Sequence, residues 1–183
     1  MRLRWTIAAL AVCALAWTVV SAEMPWLAVN ATEFAQKSGV ACPASAKPAP
    51  LSFVLKDVSN RNVTLSDYKG KVVLLDFWAT WCGPCKVEIP WFIEFQQKYG
   101  KNGLQVIGIS ADDPLDKLAP FVKEMKMTYP VLQGLGKDNV LDAYGPMFGL
   151  PVTVLISRDG RICSKHIGMG NKETFESEIK ALL

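Results

Sequence analysis

Apolar and polar positions alternate through residues 51–55 and again at 62–65, with a polar turn between them, the pattern of a β-hairpin. From 71 to 78 the chain is nearly continuously apolar, which predicts a central strand covered on both faces. The period then changes. Val87, Trp91, Phe92 and Phe95 fall on one side of a helix over 85–99, closed by Gly100 and Gly103. A second apolar run at 104–109 predicts the next buried strand, and Leu118, Phe121, Val122 and Met125 give 115–125 a helical spacing. Residues 152–156 read as a strand, Asp159-Gly160 as a hairpin turn, and 161–167 as the returning strand. Asn171 caps a last amphipathic helix with Phe175, Ile179 and Leu182 inward. Strand, helix and strand, then a hairpin and a terminal helix, predict an α/β fold with a mixed sheet flanked by helices.

The N-terminal third follows another logic. Arg2 and Arg4 precede an uncharged run from Trp5 to Ala22 that ends in Val20-Ser21-Ala22, small residues where a signal peptidase cuts. Residues 1–22 are therefore a cleaved signal peptide or an N-terminal membrane anchor, since about 18 apolar residues can just span a bilayer. Both readings place the rest of the chain outside the cytoplasm, in the periplasm or at the outer face of a bacterial membrane. Cys13 lies in the apolar run, but its flanks match a lipoprotein cleavage site poorly. Residues 23–49 end in a stretch of small residues and prolines, and read as a linker, or as a tether if the anchor stays. The folded domain is expected at 50–183.

Composition narrows the function. Half of the 183 residues are hydrophobic, enough for a real core. The formal net charge of +3 is near zero once the two leader arginines are set aside, so no case arises for nucleic acid. With His166 as the single histidine, an imidazole-built metal site is excluded in practice.

The chemistry lies in FWATWCGPCK, residues 77–86. Haem attachment needs a histidine after the second cysteine, and Lys86 stands there. A zinc site needs about four soft ligands, and besides the pair only Cys42, Cys163 and His166 are available. A structural bridge over so short a loop would stabilise little. Redox exchange is left. The pair falls where a buried strand hands over to a helix, so Cys82 meets free backbone N–H groups and the helix dipole, which favour thiolate. Pro84 suits a first helical turn. Cys85 lies one turn further in and is expected to stay protonated until it resolves a mixed disulfide.

These residues closely resemble the active-site segment of the thioredoxin superfamily. Pro90 matches the proline inside its first long helix, and residues 149–153, Gly-Leu-Pro-Val-Thr, resemble the loop that carries its cis-proline. The leader and residues 105–113 make the chain similar to the exported TlpA/ResA/CcmG group, whose thioredoxin-like fold adds an N-terminal β-hairpin and an inserted strand and helix. The resemblance implies that Pro151 faces Cys82, and assigns substrate contacts to Trp81, Pro84, Leu150 and Pro151. It matches Asp76 to the buried acid beneath the disulfide and Glu88 to the active-site glutamate of the ResA type. One of them is expected to exchange a proton with Cys85. The group usually has Tyr-Gly-Val-x-Gly-x-Pro, whereas residues 144–151 are one residue longer and include Pro146. That bears on partner choice.

The implied activity is reduction of disulfides in exported proteins such as apocytochrome c. Electrons would come from a membrane thiol carrier, because the chain has no nucleotide motif, and no cofactor is called for. Gly-Pro between the cysteines is the reducing dipeptide. A thiol peroxidase is an alternative, although Leu75 stands where its motif has proline and Thr80 is only two residues before Cys82. A copper-binding assembly factor is another, with Cys-x-x-x-Cys spacing as its usual mark. Cys163 reads as an ordinary strand residue, and a Cys42–Cys163 bridge is the alternative that an oxidising space allows.

Overall fold

The structure is a computed structural model, and it describes residues 42–183. The leader at 1–22 and the linker up to residue 41 lie outside the described residues. Among the described residues no helix is long and apolar enough to cross a membrane.

A seven-stranded mixed sheet organises the domain, with strand order β2-β1-β5-β4-β3-β6-β7. The strands are β1 Val54–Asp57, β2 Asn62–Thr64, β3 Val72–Trp78, β4 Leu104–Ser110, β5 Val131–Gln133, β6 Val152–Ile156 and β7 Ile162–Ile167. The helices are α1 Gly83–Tyr99, α2 Leu115–Glu124, α3 Asp138–Ala143 and α4 Lys172–Leu182. This is the thioredoxin-like arrangement. β3 runs parallel to β4 and antiparallel to β6, and β7 returns antiparallel along β6. The hairpin β1–β2 extends one side, and β5 and α3 come between α2 and β6.

β3 lies at the centre because its residues suit burial on both faces. Every one of them is buried. Val72, Leu74 and Trp78 face a layer with Phe92 and Phe95 of α1 and with Phe175 and Ile179 of α4. Val73, Leu75 and Phe77 face the opposite layer, with Ile107, Ile109, Val140 and Tyr144. Burying a large apolar side chain contributes about 2–3 kcal/mol, so this double-sided strand anchors the fold.

The expected elements recur with local differences. The first strand starts at Val54 because its pairing with β2 begins there, at Val54↔Thr64, while Leu51 is buried without pairing. Gly103 takes φ +103°, a left-handed turn after α1 where glycine is favoured. The Asn171 side chain accepts from Thr174 N–H at 3.1 Å, so the last helix has its expected cap. β5 and α3 carried no periodic signal of their own.

The start of the domain departs from expectation. Residues 42–49 read as linker, yet they dock on the β6–β7 hairpin. Cys42 and Cys163 form a disulfide with Cα atoms 4.5 Å apart. Ile162 N–H donates to Lys47 C=O, and Ala49 N–H donates to Gly160 C=O. Cys163 is therefore not an ordinary strand residue. The small residues and prolines spoke for an irregular backbone, which it is, but composition does not reveal where such a segment is tied.

Candidate functional site

β3 delivers its C-terminal end to a short loop, and the loop delivers Cys82 to the start of α1. Cys82 is the residue that caps α1, with extended backbone (φ −75°, ψ 106°). Its Sγ accepts from Cys85 N–H at 3.2 Å. Gly83 and Pro84 form the first positions of the helix, where proline gives up no hydrogen bond. Cys82 and Cys85 form a disulfide with Cα atoms 5.3 Å apart, and both are buried. A sulfur at this position lies against free N–H groups and the positive end of the helix dipole, so negative charge on Cys82 is favoured. Pro90 lies further along the same helix.

The loop before Cys82 is held from the segment just after β4. Asp113 accepts from Thr80 N–H at 2.7 Å, from Thr80 Oγ1–H at 2.6 Å and from Ser110 Oγ–H at 2.6 Å. Its neighbour Asp112 accepts from Trp81 Nε1–H at 2.9 Å, while the rest of Trp81 stays exposed. Sequence reasoning did not single these acids out as anchors. The available signal was two adjacent carboxylates just beyond the C-terminal end of a buried strand parallel to β3.

Leu150–Pro151 is a cis peptide bond. The register Phe77↔Val152 sets it beside the end of β3, next to the loop that leads to Cys82. Leu150 packs against the layer that contains Cys82 and Cys85. Pro151 C=O accepts from Gly168 N–H at 2.8 Å. Phe148, in the lengthened segment before this bond, is 88% exposed. Pro84 is exposed beside the disulfide.

Two acids are buried on the elements that carry the site, Asp76 on β3 and Glu88 on α1. Asp76 is wholly buried, and neither carboxylate oxygen has a hydrogen-bond partner among the described residues. Burial, and then the nearby Glu88 charge, hold its carboxyl well above the ordinary value. Glu88, one turn after Cys85 on α1, is buried too. Its Oε1 accepts from Gly170 N–H at 2.6 Å, and its Oε2 has no partner. Burial raises its pKa, while the Gly170 N–H and the His166 charge pull it back in part. His166 is itself raised above its ordinary value, chiefly by its contact with Glu178 at 2.9 Å. The structure thus brings Cys82, Cys85, Trp81, Pro84, Leu150, Pro151 and the two carboxylates to one end of the sheet.

A thioredoxin-like fold with a Cys-Gly-Pro-Cys disulfide at a helix start defines the class: a thioredoxin-like thiol–disulfide oxidoreductase. The chain belongs to the AhpC/TSA family, whose model matches residues 46–165. It is 35% identical over 136 residues to the thiol-disulfide oxidoreductase ResA of Bacillus thuringiensis subsp. konkukian, covering 74% of this chain and 77% of that one. It is 32% identical over 154 residues to ResA of Geobacillus thermodenitrificans, covering 84% and 85%. Among solved structures it is similar to a thiol:disulfide interchange protein of the thioredoxin family from Chlorobium tepidum. There the TM-score is 0.69 at 26% identity, over 76% of this chain and 98% of the other.

Proposed function

We propose that this chain works outside the cytoplasm as a reductant of disulfides in exported proteins, apocytochrome c cysteines among them, through Cys82 and Cys85. The observation that carries this reading is Cys82 at the cap of α1, its sulfur aimed at the Cys85 N–H. In the reduced protein, Cys82 is the thiolate. It attacks a client disulfide, and one client sulfur leaves with the electron pair. Cys85 loses its proton to a buried carboxylate, Asp76 or Glu88, and attacks Cys82 Sγ. The second client sulfur leaves, and the Cys82–Cys85 bond remains.

Trp81, Pro84, Leu150 and Pro151 form the contact surface for the client, whose extended backbone lies beside the cis bond. A membrane thiol carrier returns the electrons. The basic, apolar leader supports export, through a cleaved signal or a membrane tether. The Cys42–Cys163 bridge also supports an oxidising compartment. The peroxidase reading has weaker support, because position 75 is Leu and Thr80 is out of register with Cys82. The copper-binding reading has a spacing one residue short.

The test is the reduction potential of the Cys82–Cys85 couple, measured against thiol buffers. A value near or below about −250 mV is expected for a reductant, and one near about −120 mV would make the protein an oxidant. Client identity is read from mixed disulfides trapped on Cys85→Ser in the exported fraction. Absence of cytochrome c precursors from that set overturns the named client.

A further inference from the structure

Asp76 and Trp78 are two residues apart on β3, so their side chains leave the same face of the sheet. Asp76 Oδ1 and Oδ2, Trp78 Nε1 and the Tyr129 hydroxyl are all buried, and none has a partner among the described residues. Buried polar atoms are normally satisfied by protein or by ordered water, so this many together mark a place where something polar belongs.

The backbone explains how they come together. Gly108 stands opposite Asp76 in the β3–β4 register. A Cβ on Gly108 would lie 2.8 Å from Trp78 Nε1 and 3.4 Å from Cε2 of the Tyr129 ring. The missing side chain is what lets the indole and the phenol close in beside Asp76. Tyr129 arrives from the segment before β5, where Pro130 C=O accepts from Gly108 N–H at 3.0 Å. Tyr129 is 5% exposed. It lines a cavity of about 400 Å³ between α2, β5 and the β1–β2 turn, together with Asp57, Arg61, Tyr68, Val122 and Met127.

We propose that Tyr129 is a positioning residue for proton movement at Asp76. Its O–H, with Trp78 Nε1–H, holds the ionised Asp76 carboxylate through ordered water, and the cavity that Tyr129 lines is where the proton passes to solvent. The proposal rests on the reading of Asp76 as the proton partner of Cys85. When the pair is oxidised by a client, the Cys85 S–H proton goes to the Asp76 carboxylate. The Cys85–Cys82 bond forms, the Cys82–client bond breaks, and the electron pair leaves on the client sulfur. Asp76 now carries one extra proton, and with no exposed surface of its own it needs a neighbour that reaches solvent.

Of the other ionisable groups, Glu88 on α1 is close enough for its charge to raise the Asp76 pKa; its Oε1 is held by Gly170 N–H, its Oε2 has no partner, and it is buried like Asp76, so it offers the proton no exposed surface. His166 on β7 and Glu178 on α4 are engaged with each other. The Tyr129 hydroxyl stays protonated, because burial and the Asp76 charge both raise its pKa.

The experiment follows the Asp76 carboxyl by carbon-13 NMR in the reduced protein, and the rate of exchange with a small aromatic disulfide against pH. Wild type, Tyr129→Phe and Asp76→Asn are compared. Tyr129→Phe removes one oxygen and keeps the ring. Losing a donor to the ionised form is expected to raise the Asp76 titration by about half a unit or more, and to carry the acid limb of the exchange profile with it. If Tyr129→Phe moves neither while Asp76→Asn moves the profile, the Tyr129 proposal fails and the role of Asp76 stands. If Asp76→Asn also leaves the profile in place, both fail.

Discussion

Asp113 grips Thr80 twice, through its backbone N–H at 2.7 Å and its hydroxyl at 2.6 Å, across 33 positions of sequence. The grip fixes the loop between β3 and Cys82 from the segment that follows β4, and Ser110 Oγ–H, from the last residue of β4, completes it at 2.6 Å. Where the cysteine pair stands is therefore decided partly by a residue outside its own motif.

Asp113→Ala leaves the Thr80 N–H and the Ser110 hydroxyl without their acceptor. A loss of about 2–4 kcal/mol in denaturant stability is expected, together with slower exchange with protein disulfides. Asp113→Asn keeps an acceptor and is expected to cost less. Equal stability of Asp113→Ala and wild type would show that the grip contributes nothing.

Asp76 gives the protein a pH-dependent stability. Its folded pKa lies well above the ordinary carboxylate value, so the folded state binds the proton more tightly than the unfolded chain. Stability is then full below the ordinary range and falls as pH rises toward the folded pKa, by up to about 1.4 kcal/mol per pH unit. Asp76→Asn is expected to remove this slope. Unfolding curves across pH 4 to 8, about the window that carboxylate values open, check it, and an unchanged slope in the variant assigns the effect elsewhere.

Glu88 has two separable effects. Glu88→Gln keeps an acceptor for Gly170 N–H and removes the charge. The Asp76 pKa is then expected to fall, since the Glu88 charge helps to raise it. Glu88→Ala also frees the Gly170 turn, at a further cost of about 1–3 kcal/mol. Carboxyl titration by NMR and thermal unfolding separate the two, and identical behaviour of both variants would contradict the split.

Cys163→Ser opens a bridge between residues 121 positions apart. A loss of about 2–5 kcal/mol is expected, with the potential of the Cys82–Cys85 couple unchanged. Intact mass with and without reductant reports whether the bridge is closed in the isolated protein.

Much of this was legible in the chain because the signals were long or chemically distinctive. β3 and β4 are mostly apolar runs of seven residues, and Cys-Gly-Pro-Cys marks one chemistry. In α1 Phe92 and Phe95 are buried as their spacing predicts, whereas Val87, read onto the same side, is 45% exposed and Ile89 is buried in its place. Asp76 stood out as an acid inside an apolar run, and Glu88 by its resemblance to a known position. An inserted strand and helix were implied by the resemblance alone, because β5, with three residues, and α3, with six and one buried valine, are too short to show a period. The Asp113 grip and the Cys42–Cys163 bridge join distant segments, and no local pattern encodes the partner. Tyr129 gave no signal either, because its place beside Asp76 follows from Gly108 having no side chain.

The docked segment 42–49 also acts on the sheet as a whole. β7 is a terminal strand of the order, and an open strand edge can pair with another molecule. Lys47, Pro48 and Ala49 run beside its beginning, where Pro48 bridges Arg161, and Cys42 is bonded to Cys163. At the far side β2 is three residues long. One edge is occupied in part and the other is brief, so the domain offers little template for edge-to-edge aggregation. Cleaving the chain between Cys42 and Lys47 is expected to leave the covalent tie at Cys163 intact while loosening the strip that shields the edge.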